Sequence, residues 1–287
     1  MAALLRDIAR TTLAAGSAGK VTVKGLVYDV GSIIAESTVK TAYYAPDSLL
    51  STWQSFSPAQ PPPAEINTVI KILETTTLDA ARDAGLEGYK RPIGVLNFAS
   101  AEQPGGGFIN GANAQEESLA RSSTLYPSLM TPTAQQFYTL HSANDEGGFY
   151  SHAMIYSPAV VAFRADDGAW MPPMEIDVLT SPAVHAGLVR RRAHGVSVDV
   201  EAEIASTMRE RMARVLFLFE RRGVRNLILG SFGTGVFQND VDVVAGIWAE
   251  LLGGRFARSF RYVAFAVMDN STCEQFGRAF NKAKSAD

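Results

Sequence analysis

The last part of the chain alternates buried strands with amphipathic helices, and no other feature of the sequence restricts the fold as much. Residues 226–229 (Asn-Leu-Ile-Leu) form an apolar run typical of a buried strand and lead into a glycine-rich loop. Asp240 can cap the helix that follows, and residues 262–267 form another buried strand before a closing helix from about Ser271. Strands that alternate with helices form βαβ units, whose parallel strands share one sheet covered by helices on both faces. The pattern therefore predicts an α/β fold with a largely parallel central sheet.

Two predicted helices carry the apolar stripe that packing on such a sheet requires. The first stripe comprises Ile204, Met208, Met212, Val215, Leu216 and Phe219. The second stripe comprises Val241, Val244, Ala245, Trp248, Leu251 and Leu252. Spacings of three and four residues place each set on one helix face, so both stripes are expected to face the core.

Residues 1–88 are predicted to form a mainly helical extension that packs on a core of residues 89–287. The opening segment has an incomplete apolar face and is expected to be an amphipathic helix, although it loosely resembles a transit peptide. Two strand-like runs follow at residues 20–24 and 26–30. Length alone is compatible with one large domain or two, and the extension and core are expected to form one structural unit.

A proline-rich stretch interrupts this N-terminal part. Residues 58–63 are expected to be an extended connector, because proline fixes φ and has no N–H to donate. A helix from about Ala64 to about Ala84 is predicted after it, on the helical spacing of four apolar residues. These four residues are Ile66, Val69, Ile70 and Leu73.

Three consecutive glycines, Gly105-Gly106-Gly107, lie shortly after a further strand-like run at residues 92–99. Glycine has no Cβ, so the loop can adopt positive φ and bring backbone N–H groups close to a ligand, although any tight turn also uses glycine. In open α/β sheets, ligands bind in the crevice outside the carboxyl ends of the strands. The position of the triplet therefore favours a binding site over a plain turn.

Gln115-Glu116-Glu117 follows the glycine triplet after a short segment. Acidic residues in the first turn of a helix are stabilised by the helix dipole, and this would be the preferred interpretation without the glycines. Beside a loop that anions can approach, the adjacent carboxylates indicate acid chemistry on a phosphorylated substrate. Neighbouring helical residues point about 100° apart, so the two glutamates are expected to have separate roles. Asn113 is a candidate cap of this helix rather than a ligand.

A second glycine-rich loop, residues 230–235, has the sequence Gly-Ser-Phe-Gly-Thr-Gly. It lacks the Gly-Lys-Ser/Thr ending of a Walker loop and the Gly-x-Gly-x-x-Gly dinucleotide fingerprint, which argues against a P-loop kinase. Between a strand and a helix, such a loop can still direct several N–H groups at phosphate oxygens without any lysine. From the residues alone, a structural turn and a diphosphate-binding loop are equally favoured.

The composition of the chain limits which classes of partner it can bind. Apolar residues make up 47% of the chain, enough for a substantial core, and the formal net charge of −3 argues against nucleic-acid binding through a general positive field. The arginine clusters at residues 190–192 and 221–222 are expected to be solvated. No apolar run reaches the length of a membrane span.

Cysteine and histidine usage argues against metal chemistry. Cys273 is the single cysteine, which excludes an internal disulfide and fits a reducing, intracellular compartment. A multi-cysteine zinc site is excluded for the same reason. His141, His152, His185 and His194 show no ligand spacing and are expected to be structural or exposed. No metal and no cofactor are therefore expected.

The stretch from Asn97 to Gly107, continued by residues 111–127, resembles the microbial type of poly(ADP-ribose) glycohydrolase, a macrodomain enzyme. A glycine triplet followed closely by Gln-Glu-Glu is the specific motif of that family. The resemblance continues to the loop at residues 230–237 and covers roughly residue 90 to the end. It implies a macrodomain-like three-layer α/β fold, with a mixed but largely parallel sheet between helices. It also implies hydrolysis of the ribose–ribose bonds of poly(ADP-ribose), with ADP-ribose released from chain ends.

The resemblance also assigns roles to residues. Glu117 is implied as the catalytic acid that protonates the departing ribose hydroxyl, and Glu116 as the group that hydrogen-bonds ribose hydroxyls and fixes the bond. The diphosphate interpretation of the second glycine loop is favoured on the same ground, with Phe237 packing against the ribose beyond it. The implied substrate-binding residues are Asn97, Ala99, Ser100, Gly105, Gly106, Gly107, Gln115, Gly230, Ser231, Phe232, Gly233, Thr234, Gly235, Val236 and Phe237.

The sequence is also compared with three alternative functions. Many macrodomains only bind ADP-ribose, but such a module needs no acid, and the Gln-Glu-Glu motif argues against it. A hydrolase of mono-ADP-ribosylated protein would share nearly every loop. A nicotinamide-dependent oxidoreductase would be expected to carry the dinucleotide fingerprint and an acidic residue about 20 residues onward, and neither is evident. The expected partner is poly(ADP-ribose) or ADP-ribosylated protein, with no direct reading of nucleic acid and no membrane.

Overall fold

A computed structural model describes residues 1–56, 68–89, 91–144, 146–193 and 199–285. The predicted proline-rich connector and His194 lie outside these ranges. The strands are β1 (Lys20–Val23), β2 (Leu26–Asp29), β3 (Ala42–Tyr44), β4 (Val69–Leu73), β5 (Ile93–Phe98), β6 (Met154–Arg164), β7 (Trp170–Ser181), β8 (Asn226–Gly230) and β9 (Tyr262–Ala266). The α-helices are α1 (Ala2–Ala18), α2 (Gly31–Lys40), α3 (Thr77–Leu86), α4 (Gln115–Ser122), α5 (Leu125–Leu129), α6 (Pro132–Ala143), α7 (Ala186–Arg192), α8 (Val200–Arg221), α9 (Val241–Gly253) and α10 (Asn270–Lys284).

In the described part of the chain, seven strands form one sheet in the order β3-β6-β7-β5-β8-β9-β4. The pairs β7·β5, β5·β8, β8·β9 and β9·β4 are parallel, whereas β3·β6 and β6·β7 are antiparallel. β1 and β2 form a separate antiparallel hairpin. The prediction of a mixed, largely parallel sheet is confirmed. The pair β6·β7 is antiparallel because these long strands follow each other directly, whereas a parallel neighbour would need a crossover connection.

Helices cover both faces of this sheet, which makes three layers. On one face, α8, α9 and α10 bury a cluster that includes Met212, Trp248 and Phe276. On the other face, α3 and the helices α4 to α6 bury Leu78, Leu119 and others. All six residues of the first predicted stripe are buried on α8, and the second stripe is buried on α9 apart from a partly exposed Val241. Both predicted stripes therefore face the core.

The predicted helix at residues 64–84 is wrong. Residues 69–73 form β4, which pairs in parallel with β9 at the edge of the sheet, and α3 begins only at Thr77. The run Val-Ile-Lys-Ile-Leu contains three β-branched residues, which favour a strand once a partner edge is available. Thr76 then caps α3, since its side chain accepts a 3.1 Å hydrogen bond from the N–H of Asp79.

The first 88 residues contribute both edge strands, β3 and β4, to the central sheet. They also contribute α1, which packs against α4 and the loop before it. The division into an extension and a core at residue 88 stays a prediction. No helix in the described ranges has the length and apolar character needed to cross a membrane.

Candidate active site

Two loops of the candidate site follow the carboxyl ends of neighbouring strands and lie side by side. β5 and β8 are neighbouring parallel strands, so the glycine triplet after β5 and the glycine-rich loop after β8 both follow carboxyl ends. The rings of Phe98, the last residue of β5, and Phe232 in the second loop lie 5.5 Å apart. The tertiary structure thus brings together two segments that are more than 120 residues apart in the sequence.

Gly106 lies against both glutamates of the motif. Its φ is +58°, a left-handed conformation that side chains with a Cβ rarely adopt. A Cβ at this position would overlap Oε1 of Glu117 and come within 3.2 Å of Oε2 of Glu116. Although adjacent helical residues diverge, both carboxyl groups therefore reach the same point of the loop. A glycine is required here by the backbone conformation and by the two carboxyl groups.

Gln115 fastens the helix α4 to β5. Its Oε1 accepts a 2.9 Å hydrogen bond from the N–H of Phe98, and its Nε2 donates to the carbonyl of Leu96 at 2.8 Å and to Oγ1 of Thr77 at 3.2 Å. Both ends of the amide are thus engaged with the protein. Gln115 holds the start of α4, and with it the two glutamates, at the carboxyl end of β5.

Glu116 is buried, with 3% of its surface exposed. Its Oε2 accepts a 2.7 Å hydrogen bond from the N–H of Ser100, and its Oε1 accepts one of 3.2 Å from Nδ2 of Asn97. Burial raises the pKa of Glu116 to about 8, mainly by desolvation and further by the nearby charge of Glu117, although the hydrogen bonds oppose this rise. A carboxyl group that stays protonated at neutral pH is thus present at the motif.

Glu117 spans the loop between the glycine triplet and α4. It is half-buried, and its Oε1 accepts a 2.9 Å hydrogen bond from the N–H of Gly107, while its Oε2 accepts one of 3.1 Å from the N–H of Ala114. The bond to Ala114 caps the helix, because Ala114 is the N-cap residue. The prediction that Asn113 caps this helix is wrong, since its Oδ1 accepts a hydrogen bond from Arg121 instead.

The residues at the end of β5, before the glycine triplet, are buried or hydrogen-bonded within the protein. Asn97 is fully buried, and its Nδ2 donates to Glu116 and, at 3.2 Å, to Oγ1 of Thr180. Its Oδ1 has no hydrogen-bond partner within the described part of the chain. Ala99 is buried and its N–H donates to the carbonyl of Ser181, whereas Oγ of Ser100 accepts from two following N–H groups. These residues support Glu116 at the carboxyl end of β5.

The second loop is shaped by Gly233 and Asn239. Gly233 has φ +76°, and a Cβ there would lie 2.6 Å from Nδ2 of Asn239. That amide group donates hydrogen bonds to the carbonyls of Gly233 and Val184 at 3.0 and 2.7 Å. In the described ranges, no backbone acceptor pairs with the N–H groups of residues 233 and 235–237. These N–H groups are available for an anion, as the diphosphate interpretation requires.

The side chains of this loop differ in exposure. Phe232 is fully buried, Val236 is 77% exposed and Phe237 is half-buried. The ring of Phe237 stacks on His185 with the centroids 4.6 Å apart. In this conformation a ligand can meet the side chains at 236 and 237, whereas Phe232 is enclosed and its N–H donates to the carbonyl of Gly230. Asn239 was missed by the sequence analysis, because no local pattern marks a side chain that supports a loop through its carbonyls.

Comparison with known proteins shows the same fold. Residues 9–165, more than half of the chain, match the family described as the microbial-type PARG catalytic domain, where PARG denotes poly(ADP-ribose) glycohydrolase. The crystal structure of the Thermomonospora curvata PARG is 40% identical, with a TM-score of 0.85 over 97% of this chain and 98% of that one. The same enzyme bound to the inhibitor ADP-HPD is 39% identical, with a TM-score of 0.82 over 97% and 98%.

A PARG from a second organism also matches. The Deinococcus radiodurans PARG in complex with ADP-ribose is 32% identical, with a TM-score of 0.76 over 93% of this chain and 99% of that one. No curated protein matches the sequence. The macrodomain-like fold and these matches place the chain among the glycoside hydrolases. The chain belongs to the microbial-type poly(ADP-ribose) glycohydrolase family.

The raised pKa of Glu116 predicts a pH-dependent stability. Because its folded-state pKa of about 8 exceeds the ordinary 4.5, the folded protein holds an extra proton between these values. The contribution of Glu116 to the free energy of unfolding therefore falls as pH rises through this range, by at most about 1.4 kcal/mol per unit. We expect the free energy of unfolding of Glu116→Gln, minus that of the wild type, to be more positive at pH 8.5 than at pH 5.5. Urea unfolding measures this difference.

The informative quantity is the difference in the free energy of unfolding between the wild type and Glu116→Gln. His141, which is buried, and His152, which is half-buried, have lowered pKa values of about 4 and about 3, mainly through desolvation, and they are expected to affect both proteins equally. Subtraction removes their contribution. A wild-type to variant difference that is the same at both pH values would contradict a raised pKa at Glu116.

Proposed function

We propose that this chain hydrolyses the ribose–ribose O-glycosidic bonds of poly(ADP-ribose) from chain ends, with Glu117 as general acid. The observation that carries the proposal is the meeting of Glu116 and Glu117 at Gly106, beside a loop with unpaired N–H groups. The two glutamates supply a proton donor, and the N–H groups of the loop can bind a pyrophosphate. ADP-ribose contains a pyrophosphate between two riboses, so one substrate can contact both the glutamates and the loop.

Bond cleavage needs a proton at the departing oxygen. As the bond between the anomeric carbon and that oxygen breaks, an oxocarbenium-like state forms and Glu117 donates its proton to the departing ribose oxygen. Water then adds to the anomeric carbon and returns a proton to the carboxylate of Glu117. The substrate's own diphosphate helps to position this water and offsets the developing positive charge.

Exposure separates the roles of the two glutamates. Glu117 is half-buried and, among the described residues, is held by two loop N–H groups, so a substrate can reach it. Glu116 lies deeper and is held by Ser100 and Asn97. Since its raised pKa keeps it protonated near neutral pH, it can donate as well as accept hydrogen bonds to ribose hydroxyls. Glu116 thus orients the glycosidic bond, and Glu117 protonates the departing oxygen.

The remaining site residues fall into two groups. Asn97, Gln115 and Ser100 support the glutamates through the contacts described above. The residues proposed to contact substrate through backbone or side chain are Ala99, Gly105, Gly106, Gly107, Gly230, Ser231, Phe232, Gly233, Thr234, Gly235, Val236 and Phe237. The proposed partners are poly(ADP-ribose) or ADP-ribosylated protein, in an intracellular compartment.

The decisive experiment offers the purified protein poly(ADP-ribose) and mono-ADP-ribosylated protein side by side and identifies the products. We expect free ADP-ribose from the polymer alone, without the short oligomers that internal cleavage would produce. Release from mono-ADP-ribosylated protein alone would instead favour a mono-ADP-ribosyl hydrolase. Binding of ADP-ribose without any release would favour a binding module.

Asn239 provides a test of the diphosphate loop. Asn239→Ala removes the amide that holds the carbonyls of Gly233 and Val184, so the loop should lose its shape. We expect the Kd for ADP-ribose, measured by titration calorimetry, to rise about tenfold, while kcat at saturating polymer changes little. An unchanged Kd with a folded variant would contradict a role of this loop in binding.

A further inference from the structure

Arg121, in the last turn of α4, holds the loop that joins the glycine triplet to the two glutamates. Only 2% of its surface is exposed. Its guanidinium donates hydrogen bonds to the carbonyl of Ala112 and to Oδ1 of Asn113, both at 2.6 Å. Two donors of one rigid planar group thus bind two successive residues of the loop. An arginine can do this, whereas a lysine presents a single ammonium.

The same loop is tied to Glu117 at both of its ends. The N–H of Gly107 precedes the two residues bound by Arg121, and the N–H of Ala114 follows them. Arg121 lies four residues after Glu117 on the same helix, so both side chains extend from one helix face. The loop between residues 107 and 114 is therefore fixed to α4 at both ends by Glu117 and, just before its second end, by Arg121.

The helix α1 packs against this arrangement from outside. Oγ1 of Thr12 donates a 2.5 Å hydrogen bond to the carbonyl of Arg121. Gly111, with φ +85°, lies so close to α1 that a Cβ there would be 2.6 Å from the carbonyl oxygen of Ala2. α1 contacts the loop at Gly111, and Arg121 itself is almost fully shielded from water. Its hydrogen bonds therefore compete little with solvent.

We propose that Arg121 is a positioning residue for Glu117, acting through Ala112 and Asn113. This inference rests on the proposed function, in which Glu117 is the acid. A carboxylate that accepts hydrogen bonds from a loop is only as well placed as that loop. Small displacements of a catalytic group reduce the rate of the chemical step strongly, while contacts to the rest of the substrate survive. Arg121 thus supports kcat and not ground-state binding.

The test compares Arg121→Met and Arg121→Lys with the wild type. We expect kcat for ADP-ribose release to fall about 100-fold in the Met variant and less in the Lys variant, with the Kd for ADP-ribose nearly unchanged. Arg164→Met is the matched control. Arg164 is also buried and bonds Thr12 at 2.8 Å, but the rest of its guanidinium contacts Thr11, Gly168 and the ring of Trp170, away from the loop.

A merely structural role of Arg121 would lower Tm in both the Arg121 and Arg164 variants and leave kcat per folded molecule unchanged in both. That result would overturn the inference. A double-mutant cycle with Asn113→Ala adds a second criterion: the losses in kcat should be less than additive, because both substitutions break one contact. Fully additive losses would contradict action through Asn113.

Hydrogen exchange keeps the inference separate from the proposed function. Arg121→Met should accelerate exchange at the amides of Gly107 and Ala114, whether or not the wild type releases ADP-ribose. Unchanged exchange there would overturn the inference. A wild type that releases no ADP-ribose from polymer would overturn the proposed function instead, so the two failures are distinguishable.

Discussion

Glu117→Gln is expected to remove nearly all turnover of poly(ADP-ribose) and to leave ADP-ribose binding largely intact. The amide has the shape of the carboxyl group and can still accept a hydrogen bond from Gly107 or Ala114, but it cannot supply a proton. General acid catalysis contributes about 100-fold to 10,000-fold, and the loss in kcat should lie in this range. Single-turnover release of ADP-ribose measures the rate, and titration calorimetry measures the binding.

Two further variants make this result specific. Glu36→Gln removes a carboxylate that pairs with Lys40 on the exposed face of α2, and it should leave the rate unchanged. Glu116→Gln tests the alternative that the buried glutamate with the raised pKa is the acid. Retained hydrolysis in Glu117→Gln, together with none in Glu116→Gln, would reverse the two roles.

Gly106→Ala is expected to lower kcat about 100-fold, because the new methyl group would displace the carboxyl group of Glu117. The overlap falls on the end of a flexible side chain, so the protein can fold while Glu117 moves away. The positive φ of +58° adds a cost of about 1 kcal/mol to stability. Steady-state kinetics and thermal unfolding separate the two effects.

Gly223→Ala is the matched control for that prediction. Gly223 has a similar φ of +73°, and a Cβ there would meet open space. The control should lose stability as Gly106→Ala does, yet keep its kcat. Equal kinetic losses in the two variants would attribute the effect to backbone strain, and an unchanged kcat in Gly106→Ala would refute the placement of Glu117 against the loop.

The sequence marks both loops of the candidate site through local features. A buried strand run followed by glycines marked each loop, and the residues Gln115 to Glu117 marked the start of a helix. What it did not predict was the convergence of the two carboxyl groups. Helix geometry separates adjacent side chains by about 100°, and only the loop folded back over α4 gives them a common neighbour in Gly106.

The wrong helix at residues 64–84 has a related cause. Short apolar runs fit both a helix and a strand, and periodicity does not separate them. β4 is a strand because β9 presents an edge with unpaired N–H and C=O groups. That edge is formed by residues nearly 200 positions later in the chain. Arg121 and Asn239 were likewise not assigned roles, because their partners, backbone carbonyls and the side chain of Asn113, belong to folded loops.

Local interactions thus account for the order of most elements, the apolar helix faces and the position of the glutamate motif, since spacing, capping and glycine act over a few neighbouring residues. Long-range contacts account for the edge strands of the sheet, the adjacency of the two loops and the environment of Glu116. Burial raises the pKa of that carboxyl group, and burial depends on which distant segments pack around it. Desolvation and strand pairing are properties of the assembled protein, so no stretch of sequence encodes them separately.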